Sequence, residues 1–290
     1  MMNKEVLQRI QNLELAARNT VEGMMIGSHR SRQHGFAVEF AEHREYVPGD
    51  DIRHIDWKVY GRKERFYLKQ YELETDLVCW LLVDSSESMK FGSTSLSKYQ
   101  LASTAAAALG LLTIRQTDAM GLGTFDHQLR SFIKSGSHVP HWKDCLRVLV
   151  EHPSEYHSQI GQVLHEFANR LSRRGIVAIF SDFFDEPDDI FLGLKHLQHQ
   201  RHEVIIFHVL DAAEIEFPYR QTTLFQGMEQ AAELLTDPLS IRESYLQEFQ
   251  RFTRTLQSGC RDLGIDYVLL RTDDDLGKQL SKYLSGRAMR

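Results

Sequence analysis

The fold is decided by one stretch of the sequence, Leu77-Val78-Cys79-Trp80-Leu81-Leu82-Val83-Asp84-Ser85-Ser86-Glu87-Ser88. The residues before Asp84 are all apolar and do not alternate with polar ones, which is typical of a central parallel strand covered on both faces. Polar residues then begin abruptly, and Asp84, Ser86 and Ser88 are spaced as D-x-S-x-S. The stretch therefore predicts a buried strand that ends in a polar loop.

Beyond this stretch the sequence alternates between apolar strands and helices. Lys98–Ile114 consists mostly of Ala and Leu and predicts a helix that is buried along most of its surface. Further strands are predicted at 119–125, 129–133, 176–180, 204–209 and 267–270, with helices after most of them. This alternation predicts a doubly wound, mostly parallel α/β sheet with helices on both faces. We expect it to span residues 76–290.

The first 75 residues have a different character. Apolar side chains recur at helical spacing over residues 5–17 and predict an amphipathic opening helix. The segment Gly27–Glu74 combines glycine, charge and aromatic residues with short β-like pieces. Because so many aromatic side chains are unusual in a disordered linker, we expect a small β-rich extension folded onto the main domain. The predicted organisation is a helix and β-rich extension over 1–75, followed by the α/β domain over 76–290.

Composition limits the class of protein. The chain has 290 residues, of which 42% are hydrophobic and 26% charged, enough for a full core. Its net charge of −6 argues against nucleic-acid binding driven by a global positive charge, and we expect no nucleic-acid partner. Cys79, Cys145 and Cys260 form neither a disulfide framework nor a CxxC metal pair. With no apolar run long enough to enter a membrane and no signal-peptide pattern, a cytoplasmic protein without membrane insertion is expected.

Oxygen-bearing side chains follow two of the predicted strands. Asp84-x-Ser86-x-Ser88 comes after the first, and Ser181-Asp182 comes after the strand at 176–180. In an open parallel sheet, ligands collect at the carboxyl ends of the strands. Carboxylate and hydroxyl oxygens are hard ligands that suit Mg²⁺ or Mn²⁺. The spacing alone also allows a simpler interpretation, in which Asp84 and Asp182 only cap the turns that follow them.

The D-x-S-x-S spacing resembles the metal-ion-dependent adhesion site (MIDAS) of von Willebrand factor A domains. In that family, a loop threonine and a second aspartate complete the site. Asp182 matches the second aspartate, and Ser158 stands where the threonine would be. The resemblance implies a Mg²⁺ or Mn²⁺ site made of Asp84, Ser86, Ser88, Ser158 and Asp182. The carboxylates would act mainly through water, and one position would stay open for a carboxylate of a partner protein.

The flanking sequence narrows this resemblance. The string Arg44-x-Tyr46-x-Pro48-Gly49-Asp50-Asp51-x-Arg53-x-Ile55-Asp56-Trp57, with residues 38–40 and 263–271, resembles the bacterial domain-of-unknown-function family 58 over nearly the whole chain. This resemblance implies a von Willebrand factor A-like domain preceded by an extension of the family's own. It further implies an adaptor or co-chaperone of a MoxR-type AAA+ ATPase, with a client protein as a further partner.

Two other functions stay open from the residues alone. An enzyme could use the same metal for phosphoryl or hydrolytic chemistry, with Glu87 or His127 as general base, although an aspartyl nucleophile would normally need a second acid where Ser86 stands. The metal site could also be vestigial and the domain a scaffold. The sequence contains no GxxxxGK[ST] loop, GxSxG elbow or HExxH helix. We therefore predict no catalytic residue and expect a non-enzymatic, metal-dependent protein-binding module.

Overall fold

The computed structural model describes residues 4–27, 39–45, 67–72, 77–151, 156–225 and 234–288. Contacts divide the chain into two compact units, one formed by Met1–Ser31 with Leu77–Arg290 and the other by Arg32–Asp76. The opening helix, which the sequence analysis grouped with the extension, thus belongs to the larger unit. Most of the predicted extension, including residues 46–57 of the string that begins at Arg44, lies outside the described residues.

The described part of the smaller unit is a pair of strands. β1 (Glu39–Glu45) and β2 (Tyr67–Glu72) pair in antiparallel register, from Glu39 opposite Glu72 to Glu45 opposite Tyr67. The register shifts between Phe40 and Glu42, as at a β-bulge.

The larger unit is built on a six-stranded sheet. Its strands are β3 (Val78–Asp84), β4 (Ala119–Phe125), β5 (Leu129–Gly136), β6 (Gly175–Ser181), β7 (Glu203–Leu210) and β10 (Asp266–Arg271). They lie in the order β10-β7-β6-β3-β4-β5, and only the β4–β5 pair is antiparallel among them. A separate hairpin joins β8 (Thr223–Phe225) to β9 (Leu234–Thr236). The sheet is therefore mostly parallel, with one antiparallel edge.

Eight α-helices are described. They are α1 (Lys4–Gly27), α2 (Lys98–Arg115), α3 (Val139–Leu149), α4 (Ile160–Arg170), α5 (Pro187–His199), α6 (Ala212–Glu216), α7 (Pro238–Asp262) and α8 (Leu276–Ala288). None of the helices in the described ranges combines the length and apolar character that a bilayer crossing requires. α1 packs against α2 and α8, so the beginning and end of the larger unit meet on one face of the sheet.

The central strand β3 supplies both cores of the unit. Every residue from Val78 to Asp84 is buried, as the unbroken apolar run predicted. Cys79, Leu81 and Val83 pack with α1, α2, α3 and α8, whereas the alternate residues pack with α4, α5 and α7 on the other face. Among these, Trp80 lies against Gly121 of β4, where any Cβ would collide with the indole ring. The doubly wound, mostly parallel α/β fold with helices on both faces is confirmed.

From β3 the chain continues to β4 on one side of the sheet centre, and from β6 it continues to β7 on the other side. The point where this direction reverses identifies the edge where a ligand would bind. β3 and β6 are neighbours in the sheet, yet α2 leaves β3 on one face and α5 leaves β6 on the other. The chain therefore opens a crevice between the carboxyl ends of these two strands. Asp84 ends β3, and Asp182 follows directly after β6.

Candidate functional site

Asp84 joins the ends of the two central strands. Its side chain is fully buried, its Oδ1 accepts a hydrogen bond of 2.9 Å from the backbone N–H of Ser86, and its Oδ2 accepts one of 2.6 Å from Ser181 Oγ. Burial raises the pKa of Asp84 to about 7, and the negative charge of Asp182 adds to the rise, while the hydrogen bonds from Ser181 and Ser86 oppose it. The carboxylate is thus held in place from two sides, and the contact to Ser86 is the turn cap that the spacing also allowed.

The serines of the D-x-S-x-S loop divide into two groups by their contacts. The hydroxyl of Ser85 donates to the carbonyl oxygen of Phe125 at 2.8 Å and so fastens the loop to the end of β4. Ser86 Oγ and Ser88 Oγ lie 3.1 Å from each other. Ser86 is fully buried and immediately precedes a 3₁₀ turn over Glu87–Lys90. Two hydroxyl oxygens are therefore presented together, beside a third that has a structural role.

Ser158 belongs to the same edge of the sheet. It lies in the loop before α4, and this loop is tied to the serine loop by a hydrogen bond of 3.0 Å from the backbone N–H of Glu87 to the carbonyl oxygen of Tyr156. The hydroxyl of Ser158 is buried and has no hydrogen-bond partner among the described residues. A buried hydroxyl without a partner costs roughly 1–3 kcal/mol of desolvation. This oxygen is therefore available to a ligand.

Asp182 is paired with a buried lysine that the sequence analysis did not identify. Lys98 Nζ donates to Asp182 Oδ2 at 2.7 Å and to Glu214 Oε1 at 2.6 Å, and the lysine side chain is only 1% exposed. Burial alone would lower the pKa of Lys98, but the charges of Asp182 and Glu214 outweigh it and the pKa lies above its ordinary value. The available signal was that Lys98 is the one charged residue in the otherwise apolar helix predicted at 98–114.

A buried histidine holds the backbone beneath Asp182. His208 Nε2 lies 3.0 Å from the carbonyl oxygen of Asp182, and His208 Nδ1 lies 2.7 Å from the hydroxyl of Tyr267. Burial lowers the pKa of His208 to about 4, so the imidazole is neutral at pH 7. The neutral ring can donate from Nε2 to the carbonyl and accept from Tyr267. His208 thereby fixes the backbone that carries the second aspartate.

The residues present fit a hard divalent cation. The structure places all five predicted ligands, Asp84, Ser86, Ser88, Ser158 and Asp182, at one edge of the sheet. Within the described ranges, no three His, Cys, Asp or Glu side chains are grouped to bind a metal, so an ion here would depend on the serine hydroxyls. Asp182 Oδ1 accepts a hydrogen bond of 3.4 Å from the backbone N–H of Phe184, which is long and therefore weak. This oxygen is thus available to bind an ion.

The two candidate general bases have other contacts. His127 Nδ1 lies 3.0 Å from Asp126 Oδ1, and the His127 ring packs on Tyr156 with 4.6 Å between ring centroids. Glu87 lies 4.0 Å from Lys90 Nζ, measured from Oε1. These contacts place both residues in the loops around the site.

The comparisons with known proteins agree with this fold. Residues 42–255 match the family described as protein of unknown function DUF58. The chain belongs to this family. One relative is the uncharacterized protein Rv1480 of Mycobacterium tuberculosis, which is 26% identical over 283 residues, or 96% of this chain and 88% of the relative.

Two solved structures resemble the larger part of the chain. BatB from Bacteroides thetaiotaomicron aligns with a TM-score of 0.50 at 14% identity, covering 74% of this chain and 100% of BatB. The SpRpn10 VWA domain aligns with a TM-score of 0.42 at 12% identity, covering 70% of this chain and 93% of that domain. At such low identity the likeness to BatB concerns the fold alone.

Proposed function

We propose that this DUF58 protein is a non-enzymatic, metal-dependent protein-binding module, acting in the cytoplasm as an adaptor or co-chaperone of a MoxR-type AAA+ ATPase. The observation that carries the metal-dependent part is the buried hydroxyl of Ser158, which has no hydrogen-bond partner among the described residues and is tied through Tyr156 and Glu87 to the D-x-S-x-S loop. The von Willebrand factor A-like fold supports a role in protein interaction.

The donor set suggests how a cation would be held. Ser86, Ser88 and Ser158 would bind Mg²⁺ or Mn²⁺ through hydroxyl oxygens, and Asp84 and Asp182 would supply the negative charge. A bound ion would offer a coordination position to a carboxylate oxygen of the partner. The chain's own contribution is orientation, since Ser181 and the backbone of Ser86 hold both oxygens of Asp84 in place.

The charge balance favours a divalent ion. Asp84, Asp182 and Glu214 carry three negative charges when all are ionised, and Lys98 carries one positive charge, which leaves two negative charges among these four side chains. All four lie in or beside a buried crevice, where unbalanced charge is costly. A Mg²⁺ ion would neutralise the excess. In the metal-free protein, burial raises the pKa of Asp84, and the negative charge of Asp182 adds to the rise.

The partner and the compartment have separate support. The MoxR-type ATPase, with a client protein as a further partner, follows from the family resemblance of the extension and the C-terminal block. The cytoplasm is supported by Cys79, Cys145 and Cys260, which are buried free thiols.

Capture of a purified MoxR-type ATPase tests the proposal. Immobilised full-length protein should retain the ATPase in Mg²⁺ and lose it in EDTA. Ser86→Ala should lose it as well, whereas Ser85→Ala, a matched change in the same loop whose hydroxyl bonds to Phe125, should retain it. Undiminished capture in EDTA would overturn the metal bridge. Hydrolysis of p-nitrophenyl phosphate that disappears in Asp84→Ala would instead favour the enzyme.

A further inference from the structure

A groove runs beside this site, between the segment that follows β6 and the exposed face of α7. It encloses about 720 Å³, and its walls include Phe184 and Pro187 on one side and Tyr245, Phe249 and Phe252 on the other. Glu214 also lines it, and the ring of Phe184 lies 5.1 Å from Lys98 Nζ. The groove therefore adjoins the buried charges next to the candidate metal site.

Phe183, the residue before Phe184, has a strained backbone conformation. Phe183 has a φ of 55°, in the left-handed region, and its side chain is fully buried. For a bulky residue this conformation is unfavourable. It is held by a hydrogen bond of 2.8 Å from the Phe183 N–H to Ser181 Oγ. The next residue, Phe184, is left 41% exposed. The ring of Phe184 therefore forms part of the accessible wall of the groove.

The aromatic wall is already assembled without a ligand. Tyr245 and Phe249 stack with 5.8 Å between ring centroids, and Phe184 contacts Phe249 at 6.2 Å and Phe252 at 5.7 Å. Residues 245, 249 and 252 recur at helical spacing and so share one face of α7. Because these rings support one another, an incoming apolar side chain would meet a rigid surface and lose little entropy in ordering it.

The rim of the groove is acidic. Glu186 and Asp188 stand at one side, and neither is paired with a cation in the described part of the chain. On the other side Glu248 is matched by Arg251, with 2.5 Å between Oε2 and Nη2. The unmatched charge of the rim is therefore negative. Such a rim attracts lysine and arginine and repels acidic segments.

We propose that this groove binds a segment of a partner protein in which a bulky apolar side chain is flanked by lysine or arginine. The apolar side chain packs in the groove against the aromatic wall of Phe184 and Phe249, and the flanking cations pair with Glu186 and Asp188. This inference rests on the proposed function because both assume that the partner binds at this edge of the sheet. It adds a contact that needs no metal and assigns the chemistry of the segment that makes it.

Three fluorescein-labelled peptides of equal length test this proposal by anisotropy on the full chain. One has a Leu-Phe-Leu core flanked by lysines, one has the same core flanked by glutamates, and one has a serine core flanked by lysines. The first should bind at least tenfold more tightly than the others. Phe184→Ala should weaken it at least tenfold, and the double variant Glu186→Lys/Asp188→Lys should make the glutamate-flanked peptide the tighter ligand.

Leu192→Ala is the matched control, because Leu192 is a 54% exposed apolar residue of α5 outside the groove lining, and it should leave binding unchanged. Equal binding of the lysine- and glutamate-flanked peptides, or an unchanged affinity in a folded Phe184→Ala, would overturn the proposal. The same titrations in EDTA and with Ser86→Ala separate it from the metal bridge. Peptide binding should persist there even if ATPase capture is lost, and peptide binding that requires Mg²⁺ would contradict the groove as a metal-independent site.

Discussion

Replacing Lys98 with methionine should destabilise the protein strongly. Lys98 Nζ lies 2.7 Å from Asp182 Oδ2 and 2.6 Å from Glu214 Oε1, with the lysine side chain 1% exposed. Methionine has a similar volume, so the substitution leaves little cavity but removes the cation between two carboxylates. Removing one partner of a buried ion pair typically costs about 3–5 kcal/mol, because an uncompensated charge stays behind. We expect a loss of that size in Lys98→Met.

A second substitution shows whether electrostatics is the cause. Glu214→Gln removes one of the two carboxylates and keeps the shape of the side chain. If uncompensated charge is what destabilises Lys98→Met, adding Glu214→Gln should recover about 1–2 kcal/mol, and the two changes should be non-additive by a similar amount. Purely additive losses would mean that packing is responsible.

Urea unfolding followed by tryptophan fluorescence measures these free energies, with and without Mg²⁺. Metal-free Lys98→Met should unfold at a clearly lower urea concentration than the unmodified protein. Its Mg²⁺ affinity should rise, because Asp182 loses the ammonium that competes for its charge, and Mg²⁺ should restore part of the stability by mass action. A Lys98→Met protein as stable as the parent would refute the reasoning, because the buried ion pair would then contribute nothing.

Three further predictions concern other parts of the larger unit. Ser158→Ala should leave the metal-free stability unchanged or slightly higher, because it removes a buried hydroxyl that has no partner among the described residues. Calorimetry should show that this variant binds the single Mg²⁺ expected per chain more weakly. Tight Mg²⁺ binding by the variant would mean that Ser158 is not a ligand. Trp80→Ala should lower the free energy of unfolding by roughly 3–5 kcal/mol, because the indole is buried and packs on Phe132 and Phe167. Thermal or urea unfolding measures this loss, and a loss below about 1 kcal/mol would contradict the packing described for the central strand. Burial raises the pKa of Asp118 to about 6. The protonated carboxyl group stabilises the folded protein below pH 4, and this contribution is lost as the pH rises through 6. Asp118→Asn should remove that loss from the stability–pH profile, and a profile identical to that of the parent protein would contradict the prediction.

The fold was predictable where the sequence pattern is local and strong. The run Leu77–Val83 has no polar residue, and the structure buries β3 completely. The helix α3 was not predicted, although Trp142, Cys145, Leu146 and Leu149 recur at helical spacing and are buried. Its sequence also contains proline, histidine and three charged residues, which obscure the pattern in an 11-residue element. Short amphipathic helices of this kind depend on the sheet for their stability more than on their own propensity.

The candidate site was predictable in its residues but not in its charge balance. The D-x-S-x-S spacing and Asp182 follow strands whose ends must meet, so their proximity follows from the parallel topology. The pairing of Lys98 with Asp182 and Glu214 joins residues separated by 84 and 116 positions. No local pattern specifies such a contact, since it depends on how α2 and α6 pack against the sheet. For the same reason, nothing in the sequence indicated that the hydroxyl of Ser158 would lack a partner.

The packing of α1 against α2 and α8 constrains the order in which the larger unit can be completed. Ala17, Val21 and Met24 of α1 share a core with Leu280 of α8, so α1 is covered by a helix that is synthesised much later. During synthesis, more than two hundred residues are added between α1 and α8, and until then α8 cannot cover this apolar face of α1. Contacts so distant along the chain form slowly and leave apolar surface exposed in the meantime. A nascent chain of this protein is therefore vulnerable to aggregation until α8 has been synthesised, and loss of α1 or α8 would leave the apolar face of the other exposed.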